Sequence, residues 1–455
     1  MRKYTFFILL IWSGMFLTAC DRDNFEDKFG QSANERLNAG KTELFEQLVA
    51  RGGTFSCPYF FQPEQLGATN FVFKFNPDRT VVITCDGEGL TAIDTIGFQI
   101  LNTQRLTLSF ENFSVLHMYA DPDQPGQGIQ SKGFGGDFEF LLDSIGTDQL
   151  IFTGKKNGTH LVLDRVADFD AGLDLFRVAR QQMSNLVGLA CEEPTMDWTI
   201  CIVKVTNKLT GQENQLQFSF HKLAKKATFV LIEDETLIRR RYGVAFNNQG
   251  FEISTPMKVA GGSFTRFAWN EATHNYGIDS ETLKGEMSFQ KNVLPPVSEA
   301  LDLEGESFCG DMNSPKAQAL LEAVAEAVEA PKARFDLAFN LSLDGVIYNE
   351  ARIVFMEEDG SYMGHIAYQI GKCTVNADGS LLIEPAEPLI SDDDPDLAEL
   401  SQMCYDEIPE VKQYLDHIFN SKGWYVYSQY SYTDIEYIYY LIDKTDTDFC
   451  MRGTL

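Results

Sequence analysis

Three times along this chain the apolar residues switch from a spacing of three or four to a spacing of two, and no other property of the sequence limits the fold as much. The first switch follows a capping box, Ser32-Ala33-Asn34-Glu35, in which the serine hydroxyl and the glutamate three residues on satisfy unpaired amides at a helix start. Leu37, Leu44, Phe45 and Leu48 recur at helical spacing, and Gly52-Gly53 ends the pattern. From Phe71 the period is two. Phe71, Phe73 and Phe75 alternate with Val72 and Lys74, and strand-like stretches follow at 81–84, 98–101, 106–110, 138–142, 149–153 and 159–163. This predicts antiparallel strands with one buried face. Gly146-Thr147-Asp148 and Lys156-Asn157-Gly158 supply the residues that tight hairpins need at positive φ.

The pattern restarts at Phe169–Val187, an amphipathic stretch with Leu173, Phe176, Met183 and Val187 on one face, followed by strand-like runs at 199–206, 215–220, 228–233, 242–246 and 250–254. A third start is Ser314-Pro315, an N-cap with proline at the first helical position, opening an Ala/Glu-rich helix to Ala330. Phe335, Leu337, Phe339 and Leu341 then alternate, Asp394-Pro395 caps a further helix that Pro409 restarts, and aromatic strands run from Trp424 to Met451. The expected fold class is α+β and β-dominated. It is a succession of units, each a helix plus an antiparallel meander, of lipocalin-like barrel or curved-sheet type. The expected divisions are 1–19, 20–31, 32–165, 166–310 and 311–455.

The first two segments are not part of that succession. Arg2 and Lys3 precede an apolar stretch, Tyr4 to Leu17, that ends in Leu17-Thr18-Ala19-Cys20. This is the layout of a cleaved signal peptide, and the stretch is short of the roughly 20 residues a membrane-spanning helix needs. These last four residues resemble the lipobox of bacterial lipoproteins, in which small residues precede a cysteine that takes a lipid, so Cys20 is the expected lipidation site. Acyl chains such as palmitate on that residue hold the mature chain at a membrane surface without crossing it. Residues 20–31 form an acidic tether. The chain carries 37 Lys+Arg against 66 Asp+Glu, a net charge of −29, which becomes −31 once Arg2 and Lys3 leave with the signal. Such a surface repels nucleic acid, so no nucleic-acid partner is expected. If Cys20 carries lipid, the other eight cysteines form an even set in an oxidising compartment; they lie beside apolar or strand-like residues without a CxxC pair, and are read mostly as buried free thiols, with one or two disulfides as the alternative.

The lipobox, the tether, Asp27-Lys28-Phe29-Gly30 leading into Glu35-Arg36-Leu37, the strand Asn70 to Phe75, and Gly135-Gly136-Asp137-Phe138-Glu139-Phe140 together resemble an uncharacterised family of Bacteroidetes lipoproteins. The resemblance is best over residues 20–165 and looser beyond. It implies an outer-membrane, lipid-anchored protein, facing the cell surface or the periplasm, that accompanies nutrient importers of the SusC/SusD type. The family supplies no catalytic residue.

Chemistries with marked sequence signatures are mostly missing. The six histidines are too far apart for a zinc-hydrolase motif, and Gly261-Gly262-Ser263-Phe264-Thr265 lacks the last glycine of a nucleophile elbow. Gly87-Glu88-Gly89-Leu90-Thr91-Ala92 matches a dinucleotide loop in letters but has no helix after it. No cofactor is expected. Two acidic clusters are candidate calcium ligands: Asp121 with Asp123, and Asp392, Asp393 and Asp394 with Asp396, the second doubling as an acidic helix start. Paired carboxylates of a glycosidase need no motif. Trp424, Tyr425, Tyr427 and Tyr430 are the candidate ligand-binding residues, since ring faces with polar tips suit sugars or a protein partner; the competing reading is a strand pair buried on one face. Three functions emerge as expectations. The first is a non-enzymatic module that binds a glycan or peptide beside an outer-membrane transporter. The others are a structural or adhesive surface module, and a hydrolase with unmarked carboxylates.

Overall fold

The computed structural model describes residues 32–454 except 65, 88–92, 103–104, 122–133, 191–198, 235, 292, 296, 299–305, 344–345, 392 and 432–435. Its strands close into three eight-stranded antiparallel barrels in tandem. The first holds β1 (Thr54–Tyr59), β2 (Thr69–Phe75), β3 (Thr80–Cys85), β4 (Asp94–Asn102), β5 (Leu106–Phe110), β6 (Glu139–Ile145), β7 (Gln149–Gly154) and β8 (His160–Arg165). The second holds β9 (Thr199–Asn207), β10 (Glu213–His221), β11 (Lys226–Glu233), β12 (Thr236–Asn247), β13 (Gly250–Val259), β14 (Gly262–Asn270), β15 (Asn275–Asp279) and β16 (Leu283–Lys291). The third holds β17 (Glu306–Asn313), β18 (Lys332–Leu343), β19 (Val346–Met356), β20 (Tyr362–Val375), β21 (Leu381–Pro385), β22 (Trp424–Ser431), β23 (Glu436–Asp443) and β24 (Cys450–Thr454). The fold is thus α+β and β-dominated, and the meanders are closed barrels rather than open curved sheets. The last barrel takes its first strand from before residue 311.

Closure comes from pairing the first strand of each meander with its last. In the first barrel Phe55 faces Arg165 and Ser56 faces Asp164. In the second, β9 and β16 pair along their length from Thr199↔Lys291 to Asn207↔Leu283. In the third, β17 meets β24 from Cys309↔Thr454 to Asn313↔Met451, and β21 touches β22 only at Leu381↔Trp424. An eight-stranded barrel encloses just the width that side chains fill. The alternating phenylalanines do this in the first barrel: Phe55, Phe71, Phe73, Phe75, Phe98, Phe140 and Phe152 are each at most 1 % exposed. Along β2 the Phe71, Phe73 and Phe75 rings stack in succession at 5.8 and 6.1 Å.

Each barrel is covered by helical residues. Helix α1 (Ala33–Val49) begins in the capping box, with Glu35 N–H donating to Ser32 Oγ and Ser32 N–H to Glu35 Oε2, and sets Leu44 and Leu48 into the first core. Helix α2 (Val115–Ala120) is a single short turn between β5 and β6. Helix α3 (Phe169–Ala190) spans two barrels. Near its start Gly172 lies against Val72 of β2, so closely that a Cβ would sit 2.7 Å from Val72 Cγ1. Further on, Ala179 and Leu186 enter the second core, and Tyr276 Oη donates to Gln182 O at 2.8 Å. The third core takes residues from α4 (Pro315–Ala327), α5 (Pro395–Glu407) and α6 (Pro409–Ile418), with Leu321, Cys404, Tyr414 and Ile418 buried in it. Cys57, Cys85, Cys201, Cys309, Cys373, Cys404 and Cys450 are free thiols.

The first two barrels are clamped by backbone. Gly67 N–H donates to Ala224 O (2.7 Å), Ala68 N–H to Val244 O (3.0 Å) and Gly243 N–H to Pro63 O (2.5 Å). Lys225 Nζ reaches Ala68 O (3.2 Å) and the Asp86 carboxylate (3.4 Å). The linker after β16 is pinned to the third barrel by Ser298, which donates its N–H to Asp378 O (2.9 Å) while its Oγ accepts Val426 N–H (2.6 Å), and Tyr427 of that barrel donates its hydroxyl to Thr199 O of the second. An apolar layer of Ile200, Ile202, Tyr427, Ile438, Tyr440 and Ile442 accompanies this junction.

Candidate functional site

The C-terminal aromatic residues are distributed over two opposite faces of β22, and each face has protein against it. Trp424 is 0 % exposed inside the third barrel, its Nε1–H donating to Ile418 O at 3.1 Å. One residue on, strand alternation turns Tyr425 and Tyr427 to the outer face. Tyr427 packs in the layer against β9 and donates its hydroxyl to Thr199 O. Tyr425 is half-buried with Lys444 Nζ 4.9 Å from its ring centre. Tyr430 lies on β22, and its side chain is outside the described residues, as is Cys20. The expectation of an aromatic ligand face is therefore corrected for Trp424 and Tyr427. The hairpin has a core on one side and a neighbouring barrel on the other.

The acidic candidates are occupied in a different way. Asp394 caps α5, its Oδ1 accepting the Asp396 and Leu397 amides at 3.2 Å each, and Asp393 Oδ2 accepts Ser391 Oγ–H at 2.9 Å. Asp121 gives its backbone N–H to His117 O at the end of α2. Asp392, Asp123 and residues 88–92 lie outside the described residues. Among the described residues no group of three or more acidic, histidine or cysteine side chains is placed to hold a metal ion.

Another set of rings is brought together on the outside of the first barrel. Asp94, opening β4, accepts the Val115 N–H at 2.9 Å and so caps α2 from a neighbouring strand. The helix carries His117 outward, where Ser114 Oγ meets its Nδ1 at 3.0 Å. The imidazole lies 4.7 Å from the Phe138 ring, nearly parallel at 26°, and 6.1 Å from the Phe113 ring. Phe113 is 64 % exposed and Phe138 39 %. Burial lowers the His117 pKa, with a hydrogen bond to the Phe110 backbone opposing it, so at neutral pH the ring is uncharged. The result is a strip of three aromatic faces.

Phe138 is held by its neighbour. Asp137 is buried, and its carboxylate accepts Lys156 N–H (2.8 Å), Asn157 N–H (3.0 Å) and Thr159 Oγ–H (2.7 Å), gathering the turn between β7 and β8. Tyr59 Oη accepts the Asp137 N–H at 2.8 Å. The chain is thereby fixed one residue before Phe138, which precedes the first residue of β6 and stays outside the core, while Phe140 two residues on is fully buried. The Gly-Gly-Asp segment prominent in the sequence is thus a device for holding this corner. Phe113 gave one signal in the sequence, a large apolar residue just after Asn112, which adopts a positive φ of 65°. Nothing local brings it to Phe138, because 25 residues separate the two and it is the β5–β6 ladder and the His117 ring on α2 that join them.

Such a strip offers flat apolar area and quadrupolar ring faces, with a neutral imidazole among them. A tandem of closed barrels filled by their own side chains defines a β-barrel protein of repeated architecture. The chain belongs to the family described as Domain of unknown function (DUF4302), whose model matches residues 25–271. The match covers α1, the first barrel with its ring strip, the clamp, and the second barrel through β14. No curated protein matches the chain.

Proposed function

We propose that this protein is a lipid-anchored, non-enzymatic binding module of the outer membrane. On this reading it serves the uptake of a glycan or peptide beside a transporter of the SusC/SusD type. The observation that carries the binding reading is the ring strip of Phe113, His117 and Phe138. Exposed large apolar side chains gathered in one place mark surfaces that meet another molecule. Ring faces stack on the flat apolar side of a pyranose or on a peptide's own side chains, and the strip lies within the family-matched segment. The signal-like first nineteen residues, Cys20 and the acidic tether support the anchor. The net charge of −31 after signal removal disfavours an anionic ligand.

The test uses the chain from Ser32 onward, which keeps every described element, against glycan and peptide panels. With each ring worth about 0.5–1.5 kcal/mol in stacking, Phe113→Ala with Phe138→Ala weakens the bound ligand roughly 5- to 150-fold. Both sites are exposed, so stability stays within about 0.5 kcal/mol. Unchanged affinity of the folded double variant rules the strip out. Acyl-mass analysis at Cys20 tests the anchor, and a SusC/SusD-like gene pair beside this gene tests the uptake setting.

A further inference from the structure

The turn that Asp137 gathers holds a chemically labile pair. Asn157 precedes Gly158, and every other asparagine of the chain precedes a residue with a Cβ. The side-chain carbonyl carbon of an asparagine lies within reach of the next residue's backbone nitrogen, and closing a five-membered ring between them is an intramolecular step. Crowding beside that nitrogen normally hinders it. Glycine removes the hindrance, since it carries no Cβ and lets other groups approach the backbone closely.

The fold leaves this step open and makes it consequential. Asn157 is exposed, and Gly158 has a φ of 71° with no heavy atom of the described residues within 4 Å of where a Cβ would sit. The Gly158 N–H donates to Gly154 O at 3.2 Å, the long end of the hydrogen-bond range. The Asn157 side chain is part of the corner, its Nδ2 donating to Gly136 O at 2.8 Å. Asp137 grips the chain on both sides of the Asn157–Gly158 bond, through the Lys156 and Asn157 amides before it and the Thr159 hydroxyl after it.

We propose that Asn157 is a site of spontaneous deamidation that releases the corner holding Phe138. Gly158 N bonds to Asn157 Cγ, the Cγ–Nδ2 bond breaks, and Nδ2 leaves as ammonia with the proton that Gly158 N gives up. Water then adds to the cyclic imide. Opening at Cγ restores the backbone with an aspartate side chain. Opening at the backbone carbonyl carbon leaves an isoaspartate, whose main chain runs through Cγ and gains an atom. Water is the only reactant supplied, and nothing is oxidised or reduced. Both products lose the donor to Gly136 O and set a carboxylate beside that of Asp137, a like-charge contact. The isoaspartate also lengthens the chain between the two grips of Asp137, so both cannot be kept. The modification goes beyond the ring-strip reading and holds whether or not the strip binds a ligand.

The chain from Ser32 onward is held for days in warm, mildly alkaline buffer and then digested for peptide mapping. The peptide containing Asn157 gains the mass of an amide-to-acid conversion ahead of every other asparagine, as separate aspartate and isoaspartate forms. Hydrogen exchange of the converted chain shows protection at 134–139 and 154–160 reduced roughly 3- to 15-fold, the loss of about one hydrogen bond, with the second and third barrels unchanged. Asn157→Asp reproduces the loss of the aspartate form without incubation. Gly158→Ala slows the conversion, but alanine at positive φ strains the turn. Asn157→Gln leaves the backbone alone and stays unmodified, because its ring would need a further atom. Conversion seen only after denaturation, or a converted chain whose corner exchanges as before, overturns the proposal. Neither readout uses a ligand, so failure here is distinct from failure of the ring-strip reading.

Discussion

Replacing Gly67 by alanine tests whether the first two barrels act as one body. A Cβ at this position would lie 2.3 Å from Lys225 O, 2.4 Å from Lys225 Cβ and 2.6 Å from Val244 O, closer than side-chain carbons come, and two of these atoms are backbone. Rotamer adjustment therefore gives no relief, and the 63–68 loop has to withdraw from the second barrel. Withdrawal breaks the hydrogen bonds from Gly67, Ala68 and Gly243 across the junction. At about 0.5–1.5 kcal/mol each, the three lose about 2–4 kcal/mol of local stability. Hydrogen exchange read by mass spectrometry gives each barrel its own signal, and free energies of local opening convert directly to protection. Protection in segments 63–68 and 224–244 should fall roughly 30- to 1,000-fold. The interiors of the barrels, held by their own ladders and by α3, keep theirs. Gly364→Ala is the control, because no heavy atom lies within 4 Å of its added Cβ. A folded Gly67→Ala protein with unchanged exchange in both segments would refute the reasoning.

Trp424→Ala should cost about 3–5 kcal/mol in urea unfolding, as for a fully buried ring, and a loss below about 1 kcal/mol would place the indole outside the core. Asp137→Ala leaves the Lys156 and Asn157 amides and the Thr159 hydroxyl without their acceptor, with an expected loss of about 2–4 kcal/mol by the same assay. Weakened binding at the ring strip should accompany it, and neutral behaviour on both counts refutes the holding role. His117, His221 and His365 all have pKa values lowered, in each case chiefly by burial. The unfolded chain then binds more protons near its ordinary histidine pKa of about 6.5, so stability falls as pH drops through that value and is fully present above it. Asp378 and Asp443, lowered by hydrogen bonds from Lys444 and His417 against desolvation, add a second loss below about pH 4. A urea midpoint that is flat or rises between about pH 7.5 and about 5.5 contradicts the histidine part.

What was legible in the sequence was whatever a few consecutive residues decide. The box at Ser32 and Glu35 closes within three residues, and the caps at Ser314 and Asp394 join side chains to amides two or three residues away. The β2 phenylalanines announce a strand because alternation is a property of the backbone itself. The ring strip was not legible. Phe113 and Phe138 reach the same imidazole through the β5–β6 ladder and a helix capped from β4.

The sequence by itself determined the β-dominated character, the change of period, the helix starts, and the charge. Each is a sum over local choices that tertiary structure inherits. Only the folded chain decided that the meanders close, since Phe55 and Arg165 pair across 110 residues and no local signal specifies that partner. Only it decided the fate of the aromatic end. An alternating strand announces two faces but cannot say what will cover them, and here a barrel core covers one and a neighbouring barrel the other. The exposed rings are elsewhere, at a corner held by a buried aspartate.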